Sequence, residues 1–186
     1  MKQEVKDFFE ALHLHKKYVL EAGLIVGGIP DERLFNHDAS KFTEAEFPHY
    51  ARQFHGDKGD PAGFAKAWLH HVHHNDHHWQ YWLFGAGFSP YDGGVEHSGA
   101  LPMPEVCIRE MVADWMGAEM AYRNSWDMTK WLNRNLDFGD LATSRIRLHS
   151  DTASILFGIL CSIGYREIDN SPLLTLVDLS KYNEVN

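Results

Sequence analysis

The sequence predicts an all-α fold, a single compact bundle of about six to eight helices. Three observations indicate this class. Apolar residues recur at the helical spacing of three and four along most of the chain. Gly and Pro signals separate these segments, and alternation of apolar and polar residues is never long enough to indicate a substantial strand. The 186 residues contain no internal repeat, so we expect one domain.

Composition limits the classes of function. With 44% hydrophobic and 23% charged residues, the chain resembles an ordinary globular protein. Its formal net charge of −9 argues against nucleic acid as the main partner, because nucleic-acid binders need a basic face. Apolar runs stay well below the roughly 18 residues of a membrane span, and residues 1–7 are too charged to open a secretory signal. We therefore expect a cytoplasmic protein in which Cys107 and Cys161 are buried and unpaired.

The first predicted helix covers residues 2–22 and ends at Gly23. Its apolar stripe runs from Phe8 through His15 to Val19 at helical spacing. The stripe predicts that His15 points into the core.

Two shorter helices are predicted next. Pro30 suits the first turn of the second helix, which carries residues 36–42. Thr43 and Glu46, three residues apart, match a capping box, which predicts a third helix running to about Phe54.

The segment from Trp68 to Trp82, WLHHVHHNDHHWQYW, holds six of the thirteen histidines and three of the six tryptophans. Treated as one helix with about 100° per residue, it has its tryptophans on one face, which we predict to be buried because large aromatics supply much of a core. His71 and His78 share this face, with Asn75 between them. The other four histidines, predicted to lie on a solvated flank, are His70, His73, His74 and His77.

The region after the His-rich segment begins with a predicted long loop. Residues 85–104 are rich in Gly, Ser and Pro, and a loop of this length inside a domain often covers a binding site. Residues 104–122 then form a predicted helix with Asp114 on its apolar stripe. A carboxylate on a buried face costs free energy unless it is paired or bound to a metal.

The C-terminal part is predicted to contain a short helix at residues 126–136 and a longer one at 152–163, capped by Ser150 or Asp151. His149 either reaches a pocket or simply precedes this cap. The predicted domain comprises a core at about residues 8–122, C-terminal helices at 123–166 and an irregular tail at 167–186.

Several predicted helices each contribute an inward polar side chain. These residues are His15, the pair His37 and Asp38, His71 with His78, and Asp114. Imidazole and carboxylate groups are ligands that divalent transition metals prefer. An interior cluster of such groups would otherwise leave unpaired charge, so the sequence predicts a metal site.

The order His, His-Asp, two His and Asp along a helical chain resembles the HD-domain superfamily of metal-dependent phosphohydrolases. The resemblance covers roughly residues 8–122, centres on His37-Asp38, and includes Lys41 as in the HDxxK variant of the motif. It implies one metal held by His15, His37, Asp38 and Asp114. It also implies a second ion that Asp38 bridges and that His71 and His78 bind, with His74 and His77 as alternative ligands. Other two-metal members take these later histidines from more separated positions.

Three segments, HDASKF, AWLHHVHHNDHHWQYW and LPMPEVCIREMVADW, are also similar to a family of small bacterial and phage proteins. That family carries the motifs HD-x-SKF, N-x-HHWQYW and MP…EM-x-DW and brings no established activity. One departure is Asp76, which stands where we expect proline in that family.

The resemblance implies a phosphohydrolase that acts on a small phosphorylated compound, such as a nucleotide, with one or two divalent ions of Mn, Fe, Co, Ni, Zn or Mg. Asp38 would be a catalytic metal ligand. Lys41, on the same helix face as Asp38, would place an ammonium against the substrate phosphate. Asn75 would orient a water or a substrate oxygen.

Two other functions stay open: an HD-fold di-iron oxygenase, and a binding protein that uses the metal only for folding. Each residue also has a structural interpretation. A core histidine can donate to a backbone carbonyl, Lys41 can lie at the surface, and Asp114 can pair with Arg109 or Arg123. The sequence leaves the oligomeric state undetermined.

Overall fold

Two long helices, α1 (Gln3–Val26) and α5 (Glu105–Arg123), make the most extensive helix contact in the chain. Gly117 allows their close approach, because a Cβ atom there would lie only 2.7 Å from the backbone nitrogen of Val19. Side chains of the two helices can therefore meet directly. The computed structural model describes residues 2–84, 99–167, 172–178 and 180–184.

Shorter elements complete the described fold. The remaining α-helices are α2 (Asp31–Asn36), α3 (Phe47–His55), α4 (Pro61–His74), α6 (Thr129–Asn135) and α7 (Ser150–Ser162). Single 3₁₀ segments are Ala39–Phe42, Trp79–Trp82 and Ser180–Glu184. A small antiparallel sheet joins β1 (Tyr165–Glu167) to β2 (Leu174–Leu176). The predicted all-α bundle is confirmed.

The apolar core consists of two clusters that α1 connects. Phe8 and Leu12 pack with α3 and α4, whereas Val19 and Ala22 belong to the larger cluster formed with α5 and α7. His15 lies on the same stripe between the two clusters and is buried, as predicted. The helical repeat of α1 thus places a polar group at the junction of the two apolar clusters.

The prediction of one continuous helix through the His-rich segment is wrong. Helix α4 ends at His74, and Asn75 is extended. The Asn75 side-chain amide donates to the carbonyl of His71 at 2.8 Å and so occupies a helix acceptor. Helical spacing therefore does not predict which side chains are buried after Asn75. His77, predicted to be solvated, is buried, and Trp68, predicted to be buried, is 39% exposed.

The predicted second and third helices also need correction. Helix α2 ends at Asn36, and Asp38 adopts a left-handed conformation with φ 56° before the 3₁₀ segment. Helix α3 begins at Phe47 rather than at Thr43. The capping box does not form, because the buried Glu46 carboxylate binds imidazoles of α4 instead.

The C-terminal region differs in detail from the prediction. His149 is the N-cap of α7, where its Nδ1 accepts a hydrogen bond from the Asp151 amide at 3.1 Å. The tail predicted to be irregular contains β2 of the small sheet. Cys107 and Cys161 are both free, but Cys161 is only half-buried.

The predicted covering loop falls mostly at residues 85–98, which lie outside the described residues. Beside that segment, Leu83 and Ala100 form an isolated antiparallel bridge. Every helix in the described ranges is too short or too polar to span a bilayer.

Candidate metal centre

Four side chains from α1, α5 and the turn after α2 converge in the first group of the site. The group consists of His15, His37, Asp38 and Asp114, whose donor atoms lie within 4.8 Å of one another. Nε2 of His15 is 3.1 Å from Oδ1 of Asp114 and 3.4 Å from Oδ2 of Asp38. Nε2 of His37 is 3.4 Å and 3.5 Å from the same two oxygens. This group is able to hold a metal ion.

A second group faces the other oxygen of Asp38. Oδ1 lies 3.3 Å from Nε2 of His71 and 3.7 Å from Nε2 of His77. Nε2 of His78 is in turn 2.8 Å from Nε2 of His71. Donor atoms of Asp38, His77 and His78 also lie within 4.8 Å of one another. Asp38 therefore stands between two sets of histidines, with one carboxylate oxygen toward each.

Buried polar atoms at this centre lack hydrogen-bond partners within the described part of the chain. They are Nδ1 and Nε2 of His15, Nε2 of His37, Oδ1 of Asp38 and Nε2 of His77. Leaving such atoms unpaired costs roughly 1–3 kcal/mol each. Because four of the five also belong to the groups above, a bound cation would satisfy them together.

The turn that carries His37 and Asp38 is held from α1. The Lys16 ammonium donates to the backbone carbonyls of Phe35 and His37 at the end of α2. The left-handed conformation of Asp38 is uncommon for a residue other than glycine and often marks functional sites. His37 and Asp38, although adjacent in the chain, both contribute donor atoms to the group that contains Asp114.

Outer carboxylates orient the histidine rings. Oε1 of Glu110 accepts hydrogen bonds from Nδ1 of His37 at 3.0 Å and from Nδ1 of His77 at 3.2 Å. Oε2 of Glu46 accepts from Nδ1 of His71 at 2.9 Å. Holding Nδ1 in this way leaves Nε2 as the free donor atom toward the centre, which is the usual support of metal-binding histidines.

The Arg33 guanidinium binds the Glu110 oxygen that does not contact the histidines. Arg33 donates through Nε to Oε2 of Glu110 at 2.7 Å and through Nη2 to Oδ1 of Asp76 at 2.5 Å. Asp76 precedes His77 and accepts the Trp82 indole hydrogen bond at its carbonyl at 2.8 Å. The turn after α4 is thus tied to α2 and α5.

Charge at the centre is unbalanced. Its carboxylates are Asp38, Glu46, Asp76, Glu110 and Asp114, and its basic side chains are Lys16, Arg33 and Lys41. Five acidic groups against three basic ones leave two negative charges when all the histidines are neutral and one when His37 is protonated. A divalent cation would compensate this charge.

Burial and neighbouring charges set the protonation states. Burial raises the pKa of Asp38, but the Lys41 ammonium holds it well below its usual range. Burial opposes protonation of His37, yet the negative charges of Asp38 and Asp114 and the hydrogen bond to Glu110 raise the pKa of His37 to about 10. Burial lowers the pKa of His71 and, with His77 nearby, that of His78. The lowered pKa values of His71 and His78 keep these two imidazoles neutral, which is the form that binds metals, whereas an ion at His37 would have to displace a proton.

The structure brings together the six sequence-predicted metal ligands, His15, His37, Asp38, His71, His78 and Asp114. Of the two alternative ligands, His77 joins the site, whereas His74 is exposed and donates through Nδ1 to the carbonyl of His70. Nζ of Lys41 lies 2.6 Å from Oδ2 of Asp38. The backbone between the two residues is a 3₁₀ segment rather than the predicted α-helix. The Asn75 amide donates to the Ser40 hydroxyl, and its role toward substrate stays a prediction.

Sequence reasoning missed two supporting carboxylates. Glu110 precedes Asp114 by four residues and follows Cys107 by three, so helical phase places it on the same face of α5. Glu46 had an equally good local interpretation as part of a capping box, and the sequence held no signal against it.

Comparison with protein families assigns the chain to a family but not to a function. A model described as a family of unknown function, DUF5662, matches residues 4–161. The chain belongs to this family. The DUF5662 match takes in every side chain of the metal centre and ends within α7. No match was found among curated proteins or among solved structures.

Proposed function

We propose that this DUF5662 protein is a metal-dependent phosphohydrolase of the HD type, acting on a small phosphorylated compound such as a nucleotide. The observation that carries the proposal is the position of Asp38. One of its oxygens faces His15 and His37, the other faces His71 and His77, and Lys41 lies beside the first.

The donor set fits transition-metal ions. Imidazole nitrogens and carboxylate oxygens suit Mn, Fe, Co, Ni or Zn better than an all-oxygen site would. The unpaired buried nitrogens and the excess negative charge support the same conclusion. The first ion would be held by His15, His37, Asp38 and Asp114, and the second by Asp38, His71, His77 and His78. Divalent ions at such positions lower the pKa of water toward about 7 and polarise phosphoryl oxygens.

Lys41 supports hydrolysis of an anionic substrate. Its side chain is 17% exposed, whereas that of Asp38 is 1% exposed, so Lys41 lies on the solvent side of Asp38. The Asp38 charge raises the pKa of Lys41 despite its burial, which keeps the ammonium charged. A charged Lys41 would bind a substrate phosphate and offset the negative charge that develops on it.

The test is turnover by protein stripped of metal and reloaded with Mn, Co, Ni, Fe, Zn or Mg in separate samples. Substrates are p-nitrophenyl phosphate, bis-p-nitrophenyl phosphate and a nucleotide panel. We expect hydrolysis with at least one metal, and its loss in Asp38→Asn, which removes a ligand charge at nearly constant volume. Bound metal without turnover of any substrate would contradict the proposal.

A di-iron oxygenase is the second candidate, since a carboxylate between two sets of histidines also suits iron. It predicts stoichiometric iron after anaerobic purification, oxygen consumption, and little effect of Lys41→Met. A protein that uses metal only for folding predicts instead that Asp38→Ala unfolds the chain rather than only inactivating it.

A further inference from the structure

Glu110 touches histidines of both halves of the metal centre. It lies on α5 one turn before Asp114 and is 3% exposed. Its Oε1 atom accepts from Nδ1 of His37 and from Nδ1 of His77, and the two imidazole rings lie 4.4 Å apart between centroids. One carboxylate oxygen therefore sets the rotation and the tautomer of two rings.

The imidazole rings of His37 and His77 face different oxygens of Asp38, and so different ion positions. Nε2 of His37 faces Oδ2 of Asp38 at 3.5 Å, whereas Nε2 of His77 faces Oδ1 at 3.7 Å. Both Nε2 atoms are buried and unpaired within the described residues. The free nitrogen of each ring thus points to the centre while the other nitrogen is held by Glu110.

Arg33 explains why Glu110 supports the rings rather than binding an ion itself. Donor atoms of Glu110, His37 and His77 are close enough together to hold a cation. However, the Arg33 guanidinium already binds Oε2 and would repel a cation placed beside it. With Oε2 bound by Arg33, Oε1 is the oxygen left to accept the imidazole hydrogen bonds.

We propose that Glu110, braced by Arg33, is the shared positioning residue of the two ion positions, so that occupancy of one position raises the affinity of the other. The inference rests on the proposed metal-dependent function. An ion on Nε2 of His37 fixes Nδ1 as the donor and holds the carboxylate in place for His77. By linkage, an ion at His77 acts equally on the position at His37.

Glu46 provides the matched control. It is a buried glutamate with the same kind of contact, since it accepts from Nδ1 of His71 at 2.9 Å. Its second contact, at 2.7 Å, is with His70, which is outside the groups that face Asp38. Glu46 therefore supports one ion position, whereas Glu110 supports both.

The experiment is a cobalt(II) titration of chelator-stripped protein, followed by visible absorption and by competition with a chelator to obtain both stepwise affinities. For the wild type we expect two ions with positive coupling. Glu110→Gln keeps an acceptor but places an amide donor against an imidazole or Arg33. We expect it to lower both affinities roughly 10- to 100-fold and to abolish the coupling. Glu46→Gln should lower only one affinity.

Unchanged affinities in Glu110→Gln, or a decrease at one position only, would overturn the inference while leaving the proposed function intact. A wild-type protein that binds no ion would defeat the proposed function itself. Circular dichroism of the stripped variants checks the fold. If Glu110→Gln does not fold, Arg33→Lys, which keeps the charge but loses the two-point contact, must weaken both positions, and equal binding to wild type would refute the coupling.

Discussion

Nζ of Lys41 lies 2.6 Å from Oδ2 of Asp38, and this ion pair stands at the partly exposed side of the centre. The pair links the residue that faces both sets of histidines to the cation that we propose binds the substrate phosphate. We expect Lys41→Met to reduce kcat/KM for p-nitrophenyl phosphate by about 10²-fold, because it removes one charged donor from the phosphate. Lys41→Arg, which keeps the charge, should lose less. If the Met variant were as active as the wild type, Lys41 would make no contribution to catalysis.

Metal removal should lower stability. An ion that binds only the folded chain at a concentration 100 times its Kd contributes about 2.7 kcal/mol to the free energy of unfolding. We therefore expect Tm to fall after treatment with a chelator and to rise with increasing Mn, Co or Zn. Calcium should have little effect, because it prefers all-oxygen sites. A Tm that rises equally in Asp38→Ala would show that the ion binds elsewhere.

Two histidines of the His-rich segment offer a matched pair of variants. His77 is buried beside Asp38, whereas His73 is exposed on α4. We expect His77→Ala to reduce the metal content by about one ion per chain and His73→Ala to leave it unchanged. Metal analysis after gel filtration measures both. An equal loss in the two variants would indicate adventitious binding to the His-rich surface.

The approach of α1 to α5 can be tested at Gly117. A methyl group there would meet Val19 backbone atoms, which cannot move without shifting α1. We expect Gly117→Ala to destabilise the fold by about 1–3 kcal/mol and to weaken metal binding, because His15 would move relative to Asp114. Denaturant unfolding gives the first value and cobalt titration the second.

Gly158 on α7 is the control for this substitution. A Cβ atom at Gly158 meets no described atom within 4 Å. Alanine there should leave stability unchanged or raise it by up to about 1 kcal/mol, because alanine favours a helix. If both alanine variants had the same stability, the close helix approach would not limit the fold.

The long helices could be predicted from the sequence because their apolar stripes repeat over several turns. His15 and Asp114 were found in this way, and both contact Asp38 or each other. The segments between helices could not be predicted, because tertiary contacts determine them. The His71 carbonyl accepts the Asn75 side-chain amide where α4 ends, and His77, just beyond, is buried.

The residues that support the histidine rings also differ in whether sequence spacing predicts their positions. Glu110 shares a helix face with Asp114, so its inward position follows from spacing on α5. Its partner Arg33 lies 77 residues away along the chain, and only the folded structure joins them. A pairing of this kind leaves no periodic pattern in the sequence.

We propose that Asp38 and the histidines around it hold divalent metal. The metal content of protein purified without an affinity tag can be measured by elemental analysis, with Asp38→Asn prepared in parallel. We predict about two transition-metal ions per wild-type chain and a marked loss of metal in the variant. A wild-type chain that is folded, and that contains no transition metal even after incubation with Mn, Co, Fe and Zn, would show that these residues do not form a metal site.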